Sequence, residues 1–328
     1  MHSTDLDTAV VIATEACRLA RAAQDAIVAA GDAVSKGDRS PVTVADLAIQ
    51  VVVSRRLANA FPGDRLLAEE SSAVLAREPH LTGRVLELVR RHLPDEDAAS
   101  LVRALDRGDA GAAVGRTWVL DPIDGTKGFL RGDQFAIALA LVVDGEVRLG
   151  VLGCPNLAVE PGDAAAGRGV VFAAAGGGGA SARPLDGGTV RTIAVDTLDD
   201  PAEARFCESV EAAHADHSEQ AEIARRLGIT APPVRIDSQC KYGVVSRGEA
   251  SIYLRLPKQK DYREKVWDHA AGAIVLTEAG GRVTDLAGEP LDFSQGRLLG
   301  THVGIVATNG RLHDRVVAAC REVVGLDD

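Results

Sequence analysis

The sequence predicts an α/β protein with an α+β N-terminal half. Three observations predict this class. Two long helical patterns open the chain, two apolar strand patterns joined by Asp144-Gly145 follow, and short strands alternate with helices after the glycine run at residues 176–179. The pattern of predicted strands and helices therefore changes at that glycine run. We therefore expect an N-terminal domain of residues 1–178 and a C-terminal domain of residues 179–328.

The N-terminal half is predicted to begin with two helices. Ser3 or Thr4 caps the first, which ends near Gly31, and the second covers residues 43–60. A strand at Arg65–Ala68 and irregular helical turns over residues 73–115 follow, and then strands at residues 118–120, 135–143, 146–152 and 170–172. Pro62-Gly63 ends the second helix. Because Asp144-Gly145 is a strong two-residue hairpin signal, the sheet is expected to be antiparallel.

The C-terminal half is expected to alternate strands and helices. Its predicted strands are residues 192–195, 234–236, 252–256 and 303–307. Asp268 stands where a helix N-cap belongs, and Gly280-Gly281 is a sound end for that helix.

Composition limits the classes of function. A chain of 328 residues with 46% hydrophobic content can bury a large core, and no apolar run reaches the length of a membrane span. The net charge of −11 argues against nucleic acid or an acidic membrane surface as partner. Five scattered cysteines indicate buried thiols rather than disulfides or a structural zinc site. We expect a cytoplasmic monomer.

The apolar run before Asp121 ends abruptly in a polar turn. Pro122 is expected to end the strand, so that Asp121 and Asp124 bracket one turn and converge on a divalent cation. Gly125 lets the backbone approach a ligand closely, and the free N–H groups of a helix that begins near Thr126 would face a phosphate. The alternative is a strand-to-helix turn with two capping aspartates.

Other carboxylates also fall at the ends of predicted elements. Glu69 follows the strand at Arg65–Ala68, Asp268 precedes a helix, and Asp46 lies near the start of the second helix. Mg²⁺ prefers oxygen ligands of this kind. Without a cation, gathered carboxylates would repel and their pKa values would rise, so the purely structural alternative requires them to be dispersed.

The order of these motifs resembles the inositol monophosphatase superfamily of metal-dependent, lithium-sensitive phosphatases. Glu69-Glu70 comes first, residues 121–126 second, and Trp267-Asp268-x-Ala-x-Gly third. Further matches point within that superfamily to the 3'(2'),5'-bisphosphate nucleotidases. They are residues 40–46, 124–129, 150–156, 237–242, 253–257 and 267–272. The resemblance implies a layered α-β-α-β-α sandwich of the sugar-phosphatase type, with the metal site between its domains.

The resemblance also implies a pair of Mg²⁺ ions. Glu69, Asp121 and the main-chain carbonyl of Ile123 would hold one ion, and Asp121, Asp124 and Asp268 would hold the other. Asp121 would then bridge them. The resemblance also allows a third, weaker Mg²⁺ near Glu69 and Asp46.

Two residues match the pair that orients and deprotonates the attacking water, with Asp46 as the base and Thr126 as its partner. The positions that match the substrate contacts are Gly125, Thr126, His217, Ser238, Lys241, Arg255 and Asp268. His214 is the alternative to His217, and both could be surface residues. Arg255 also opens a basic stretch with Lys258, Lys260, Arg263 and Lys265, which is either a solvated loop or part of the substrate site.

The implied activity is hydrolysis of the 3'-phosphate of adenosine 3',5'-bisphosphate to AMP and phosphate. The sulfated analogue, 3'-phosphoadenylyl sulfate, is a candidate second substrate, Li⁺ is the expected inhibitor, and sulfur metabolism is the plausible setting. One alternative is an inositol (poly)phosphate or fructose phosphatase with the same metal core. Another, from a different class, is a nucleotide sensor that binds without turnover.

Overall fold

The computed structural model describes residues 2–30, 40–210, 217–257 and 262–325. These residues form a mixed α/β fold built on a seven-stranded sheet and a five-stranded sheet. The elements up to Ile193 make the first sheet and its helices. The rest make the second sheet and the helices around it.

The first sheet runs in chain order and is antiparallel except for its first pair of strands, which is parallel. Its strands are β1 (Arg65–Ala68), β2 (Arg116–Asp124), β3 (Ala136–Val143), β4 (Glu146–Glu160), β5 (Asp163–Ala175), β6 (Ala180–Pro184) and β7 (Arg191–Ile193). The helices of this part are α1 (His2–Ala30), α2 (Ser40–Ala60), α3 (Ala73–Arg77), α4 (Leu81–Val89), α5 (Ala98–Asp106) and α6 (Thr126–Arg131).

The second sheet has the strand order β11-β12-β10-β8-β9. Its strands are β8 (Phe206–Glu208), β9 (Val234–Arg235), β10 (Ile252–Arg255), β11 (Arg282–Thr284) and β12 (Ile305–Thr308). The accompanying helices are α7 (His217–Leu227), α8 (Cys240–Ser246), α9 (Ala270–Glu278) and α10 (His313–Val324).

Three apolar cores separate five layers. The first core joins α1 and α2 to one face of the first sheet, and the second joins the other face to α8, α9 and the second sheet. The third lies between the second sheet and the helices α7 and α10. This stacking confirms the predicted α-β-α-β-α sandwich.

The hairpin at Asp144-Gly145 is confirmed. Asp144 has a φ of 50° and Gly145 a φ of 85°, as a tight turn between right-twisted strands requires, and β3 pairs antiparallel with β4. The second strand of this hairpin, β4, was expected to end at residue 152, and this is wrong because β4 continues to Glu160. A register shift between Cys154 and Ala158 accommodates Pro155 in the strand.

Two further expectations for strands are wrong. Pro122 does not end β2, because the pairing with β3 shifts register between Asp121 and Asp124 and so needs no hydrogen bond from the proline. The strand expected at residues 192–195 in the second half is instead β7, which ends the first sheet. The division at residues 178 and 179 falls inside the β5–β6 hairpin and, as a domain boundary, stays a prediction.

All five cysteines are buried free thiols, as the sequence predicted. None of the helices in the described part of the chain is both long enough and apolar enough to cross a membrane.

Close packing of α9 on β4 depends on a glycine. A Cβ on Gly150 would lie 2.5 Å from the Ile274 side chain and 2.9 Å from the carbonyl oxygen of Ala271. We expect Gly150→Ala to lower the free energy of unfolding by about 1–3 kcal/mol, because α9 must move away from the sheet. Gly83 in α4 has open space around it, so Gly83→Ala should raise stability by up to about 1 kcal/mol. Urea unfolding of both variants measures the two effects; equal midpoints would contradict this account of the packing.

Candidate active site

The parallel pair of strands places two carboxylates next to each other. Ala68 is the register partner of Leu120, so Glu69 and Asp121 are the next residues along both strands. The main-chain N–H of Glu69 donates to the carbonyl of Leu120 at 3.3 Å, which continues the ladder by one step. Glu69 and Asp121 therefore emerge side by side at this edge of the sheet.

The turn after β2 brings in the next groups. Asp124 ends the strand, and Gly125 precedes the first residue of α6 with a φ of 90°. A Cβ on Gly125 would lie 2.9 Å from the Cβ of Ser238, so conformation and space both require glycine at this position. Ser238 itself has a φ of 67°, which is strained for a residue with a side chain.

Asp268 reaches the same place from the other half of the chain. It ends the 3₁₀ turn Val266–Asp268, and α9 begins at Ala270 with His269 as its N-cap residue. The expected capping role of Asp268 is therefore wrong. Its carboxylate faces the cavity.

A cavity of about 370 Å³ lies between the two sheets at the ends of these elements. Ten residues predicted for the site line it: Glu69, Asp121, Ile123, Asp124, Gly125, Thr126, Ser238, Lys241, Arg255 and Asp268. Ser209 and Asp237 also line it, and sequence reasoning assigned them no role. The acidic and basic predicted residues thus meet in one cavity.

The predicted site carboxylates that line the cavity form its acidic wall, which is electrostatically unfavourable without a cation; they are Glu69, Asp121, Asp124 and Asp268. Asp121 is 2% exposed, and burial followed by the charges of Glu69 and Asp124 raises its pKa well above the ordinary value. Burial and the charge of Asp124 raise the pKa of Asp268 in the same way. Water reaches Glu69 through the cleft, yet surrounding protein atoms still raise its pKa by desolvation. These carboxylates are gathered, not dispersed.

Asp46 lies behind this wall on α2 and is 5% exposed. Burial first, and then the charges of Glu70 and Glu69, raise its pKa well above the ordinary value. The main chain of Glu70 is fixed to the same helix by Gln50, whose amide accepts from the Glu70 N–H at 3.0 Å and donates to the Glu70 carbonyl at 2.8 Å. Asp46 and the Glu69 segment are therefore held in a fixed relation.

The residues present fit a divalent cation. One carboxylate oxygen of Asp121, Oδ1, is buried and has no hydrogen-bond partner within the part of the chain that the structure describes. A bound cation would satisfy that oxygen and relieve the repulsion among its neighbours.

A second group, formed by Glu264, Asp268 and His269, also places potential ligand atoms within 4.8 Å of one another. However, both ring nitrogens of His269 are engaged, Nδ1 with the Tyr242 hydroxyl at 2.9 Å and Nε2 with Glu264 at 3.2 Å. Of this group, Asp268 is the residue that also belongs to the acidic wall.

Two basic residues, Lys241 and Arg255, line the same cavity and form its basic wall. Lys241 on α8 is 2% exposed, and its ammonium donates to Ser209 Oγ at 3.2 Å and lies 5.2 Å from the centre of the Tyr253 ring. Burial lowers its pKa. Arg255 ends β10 and donates from Nε to Glu264 at 3.1 Å. A protein of net charge −11 therefore holds local positive charge where an anion would enter.

Arg297 joins the two sides of the site and was not predicted. Its guanidinium lies over the Trp267 ring at 4.6 Å and donates to the carbonyls of Ala68 at 3.0 Å and Glu69 at 3.2 Å. It thus links the segment of Glu69 to that of Asp268. No motif around Arg297 signals this role.

Some predicted residues cannot be placed. His217 is the first residue of α7, and its side chain lies outside the described structure. His214, Lys258 and Lys260 also lie outside the described residues. The pairing of Asp46 with Thr126 stays a prediction.

Comparison with known proteins agrees with this geometry. The sequence profile of the inositol monophosphatase family matches residues 2–324. A protein of Oryza sativa named 3'(2'),5'-bisphosphate nucleotidase is 45% identical over 342 aligned residues, with 98% of this chain and 95% of the relative covered. A protein of Emericella nidulans with the same name is 43% identical, with 89% and 91% covered.

Solved structures share the fold. Mycobacterium tuberculosis SuhB superimposes with a TM-score of 0.63 at 23% identity, with 99% of this chain and 98% of that chain covered. Staphylococcal IMPase-II gives a TM-score of 0.63 at 19% identity, with 98% and 97% covered. With the profile match over nearly the whole chain and relatives at 43–45% identity, the resemblance seen in the motifs is confirmed: this chain belongs to the inositol monophosphatase family.

Proposed function

We propose that this protein is a Mg²⁺-dependent phosphatase that hydrolyses the 3'-phosphate of adenosine 3',5'-bisphosphate to AMP and phosphate. The observation that carries the proposal is that the gathered carboxylates, Lys241 and Arg255 all line one cavity. The names of the relatives from Oryza sativa and Emericella nidulans support this substrate class. 3'-Phosphoadenylyl sulfate is the proposed second substrate, and sulfur metabolism the proposed setting.

The gathered carboxylates are the proposed Mg²⁺ ligands. Glu69, Asp121 and the Ile123 carbonyl would hold one Mg²⁺, and Asp121, Asp124 and Asp268 a second, with a third, weaker ion near Glu69 left open. When bound, such a pair lowers the pKa of a coordinated water and neutralises charge on the phosphate during in-line displacement. Li⁺ is proposed to inhibit by replacing one ion.

Asp46 is the proposed base. A cation bound beside Asp46 would favour its ionised form, which would take a proton from the attacking water that Thr126 orients. Lys241 and Arg255 would bind the phosphate that is not cleaved, because they are basic side chains that line the same cavity as the proposed metal ligands. Ser238 and the Gly125 main chain complete the proposed substrate contacts, and His217 is the proposed neighbour of the adenine.

Replacing the central carboxylate tests the metal site. We expect Asp121→Asn to reduce phosphate release by more than ~100-fold, because outer-shell partners alone typically give ~10–100-fold effects. The fold should persist, since a neutral amide removes repulsion from the acidic wall. A phosphate-release assay beside a circular dichroism melt measures both. Asp314→Asn, an exposed change on α10, is the control and should keep the wild-type rate. Retained activity in Asp121→Asn would rule out the proposed site.

Selectivity for a nucleotide bisphosphate should depend on the basic wall. We expect Lys241→Met and Arg255→Lys each to raise KM for adenosine 3',5'-bisphosphate by ~10–100-fold, the equivalent of one lost charge-assisted contact. Hydrolysis of inositol 1-phosphate, which has no second phosphate, should change little. Arg282→Ala, at an exposed surface pair, is the control. Equal losses on both substrates would contradict the assignment of Lys241 and Arg255 to the second phosphate.

The buried acids predict how stability depends on pH. Burial and the charge of Glu69 raise the pKa of Glu70 to about 7, so between about pH 4.5 and 7 the folded protein holds a proton that the unfolded chain releases. The metal-free protein should therefore lose stability as pH rises through this window. Melting temperatures in EDTA at pH 5, 6, 7 and 8 measure the slope.

Glu70→Gln should flatten that slope between pH 5 and 7, whereas Glu87→Gln, at an exposed helix pair, should leave it unchanged. Mg²⁺ should raise the melting temperature more at pH 8 than at pH 5, because protons compete with the cation for the carboxylates. An identical slope in Glu70→Gln would contradict the assignment of the raised pKa to Glu70.

A further inference from the structure

Gln239 lies between Asp124 and the segment that carries Asp268. Its side chain is 2% exposed and makes two hydrogen bonds to the segment that carries Asp268. The amide nitrogen donates to the Trp267 carbonyl at 2.9 Å, and the amide oxygen accepts from the Gly272 N–H at 3.2 Å. Because one partner accepts and the other donates, the orientation of the amide is fixed.

The two partners bracket Asp268. Trp267 precedes it directly, and Gly272 is the third residue of α9, where a helix N–H has no partner within its own helix. The Gln239 side chain therefore fixes the position from which the Asp268 carboxylate projects.

The main chain of Gln239 contacts the other proposed ligand. Its N–H donates to Asp124 Oδ2 at 2.5 Å. The neighbouring residues hold this N–H in place, because the Cys240 N–H donates to Ser238 Oγ at 3.1 Å and the Cys240 thiol contacts the Phe135 carbonyl at 3.3 Å. One rigid residue thus connects Asp124 to the segment of Asp268.

We infer that Gln239 is a positioning residue that sets the separation of Asp124 and Asp268, and through it the affinity for the cation that the two would share. The inference rests on the proposed metal site. Without the side-chain amide, the Trp267 carbonyl and the Gly272 N–H lose their partner, and the segment of residues 266–272 is no longer tied to Asp124. A residue of purely structural importance would change stability but not the affinity of the folded protein for Mg²⁺.

Titration calorimetry with Mg²⁺ alone tests this inference on the folded, full-length protein. We expect Gln239→Met, which keeps side-chain volume but makes neither hydrogen bond, to weaken the binding of one Mg²⁺ by ~10–100-fold, the range typical of residues that orient metal ligands. At saturating Mg²⁺, the variant should regain much of its kcat, with KM for the substrate little changed.

The matched control is Asn309, another buried amide that joins two segments away from the cavity. It donates to the Leu198 carbonyl at 2.8 Å and accepts from the Leu312 N–H at 3.1 Å. Asn309→Ala should lower the melting temperature but leave the Mg²⁺ isotherm unchanged. An unchanged isotherm in folded Gln239→Met would overturn the inference.

A further variant separates failure of the inference from failure of the proposed site. Asp124→Asn removes a proposed ligand directly and should abolish binding of the same ion. If Asp124→Asn binds Mg²⁺ as the wild type does, the proposed metal site is wrong. If Asp124→Asn loses the ion and Gln239→Met does not, the site stands and the positioning role of Gln239 is wrong.

Discussion

The parallel pairing of β1 with β2 is the contact on which the site depends. In a sheet that is otherwise antiparallel, this pair alone brings the carboxyl ends of two neighbouring strands to the same edge, so Glu69 and Asp121 emerge side by side. An antiparallel pairing would separate them by the length of the strands. The register shift between Asp121 and Asp124 then turns the chain, so that a third carboxylate points into the same cavity. Local backbone geometry thus brings three carboxylates together, although burial makes their charged forms unfavourable.

That concentration lowers the stability of the metal-free fold, and other contacts offset it. Arg297 binds the main chain at Glu69 while its guanidinium lies over Trp267, and Gln239 binds both sides of Asp268. Neither side chain neutralises the carboxylates by a direct ion pair. Each binds the backbone beside a carboxylate and so fixes its position, and the charge of Arg297 also offsets part of the rise that burial causes in the pKa of Glu69. Such an arrangement suits a site whose charge is reserved for a cation.

The sequence was most informative where a local signal and the final structure agree. Asp144-Gly145 specifies its turn through two positive φ angles, and the acidic motifs mark element ends that converge. It was least informative where contacts with distant segments determine where an element begins or ends. Pro122 stays within β2 because β3 tolerates a register shift, and Asp268 leaves the N-cap position because α9 begins two residues later. Arg297 could not be found from its neighbours in the sequence, since each of its partners lies in another segment.

The two walls of the cavity come from different layers of the sandwich, and under the proposed function this separates the metal ligands from the residues that select the substrate. The first sheet supplies Glu69, Asp121 and Asp124, whereas Lys241 and Arg255 come from α8 and the second sheet. Arg255 is held by Glu264, which contacts His269, and His269 contacts Tyr242, so the basic wall has a buried polar network of its own. Under the proposed function, changes in that network should alter the choice of substrate without moving Glu69 or Asp121. Asp268 is the exception, because it stands between the layers and belongs to the proposed ligand set while its neighbour His269 belongs to the basic wall. Under the proposed function, the distance between the layers at Asp268 should therefore affect the binding of both the cation and the substrate.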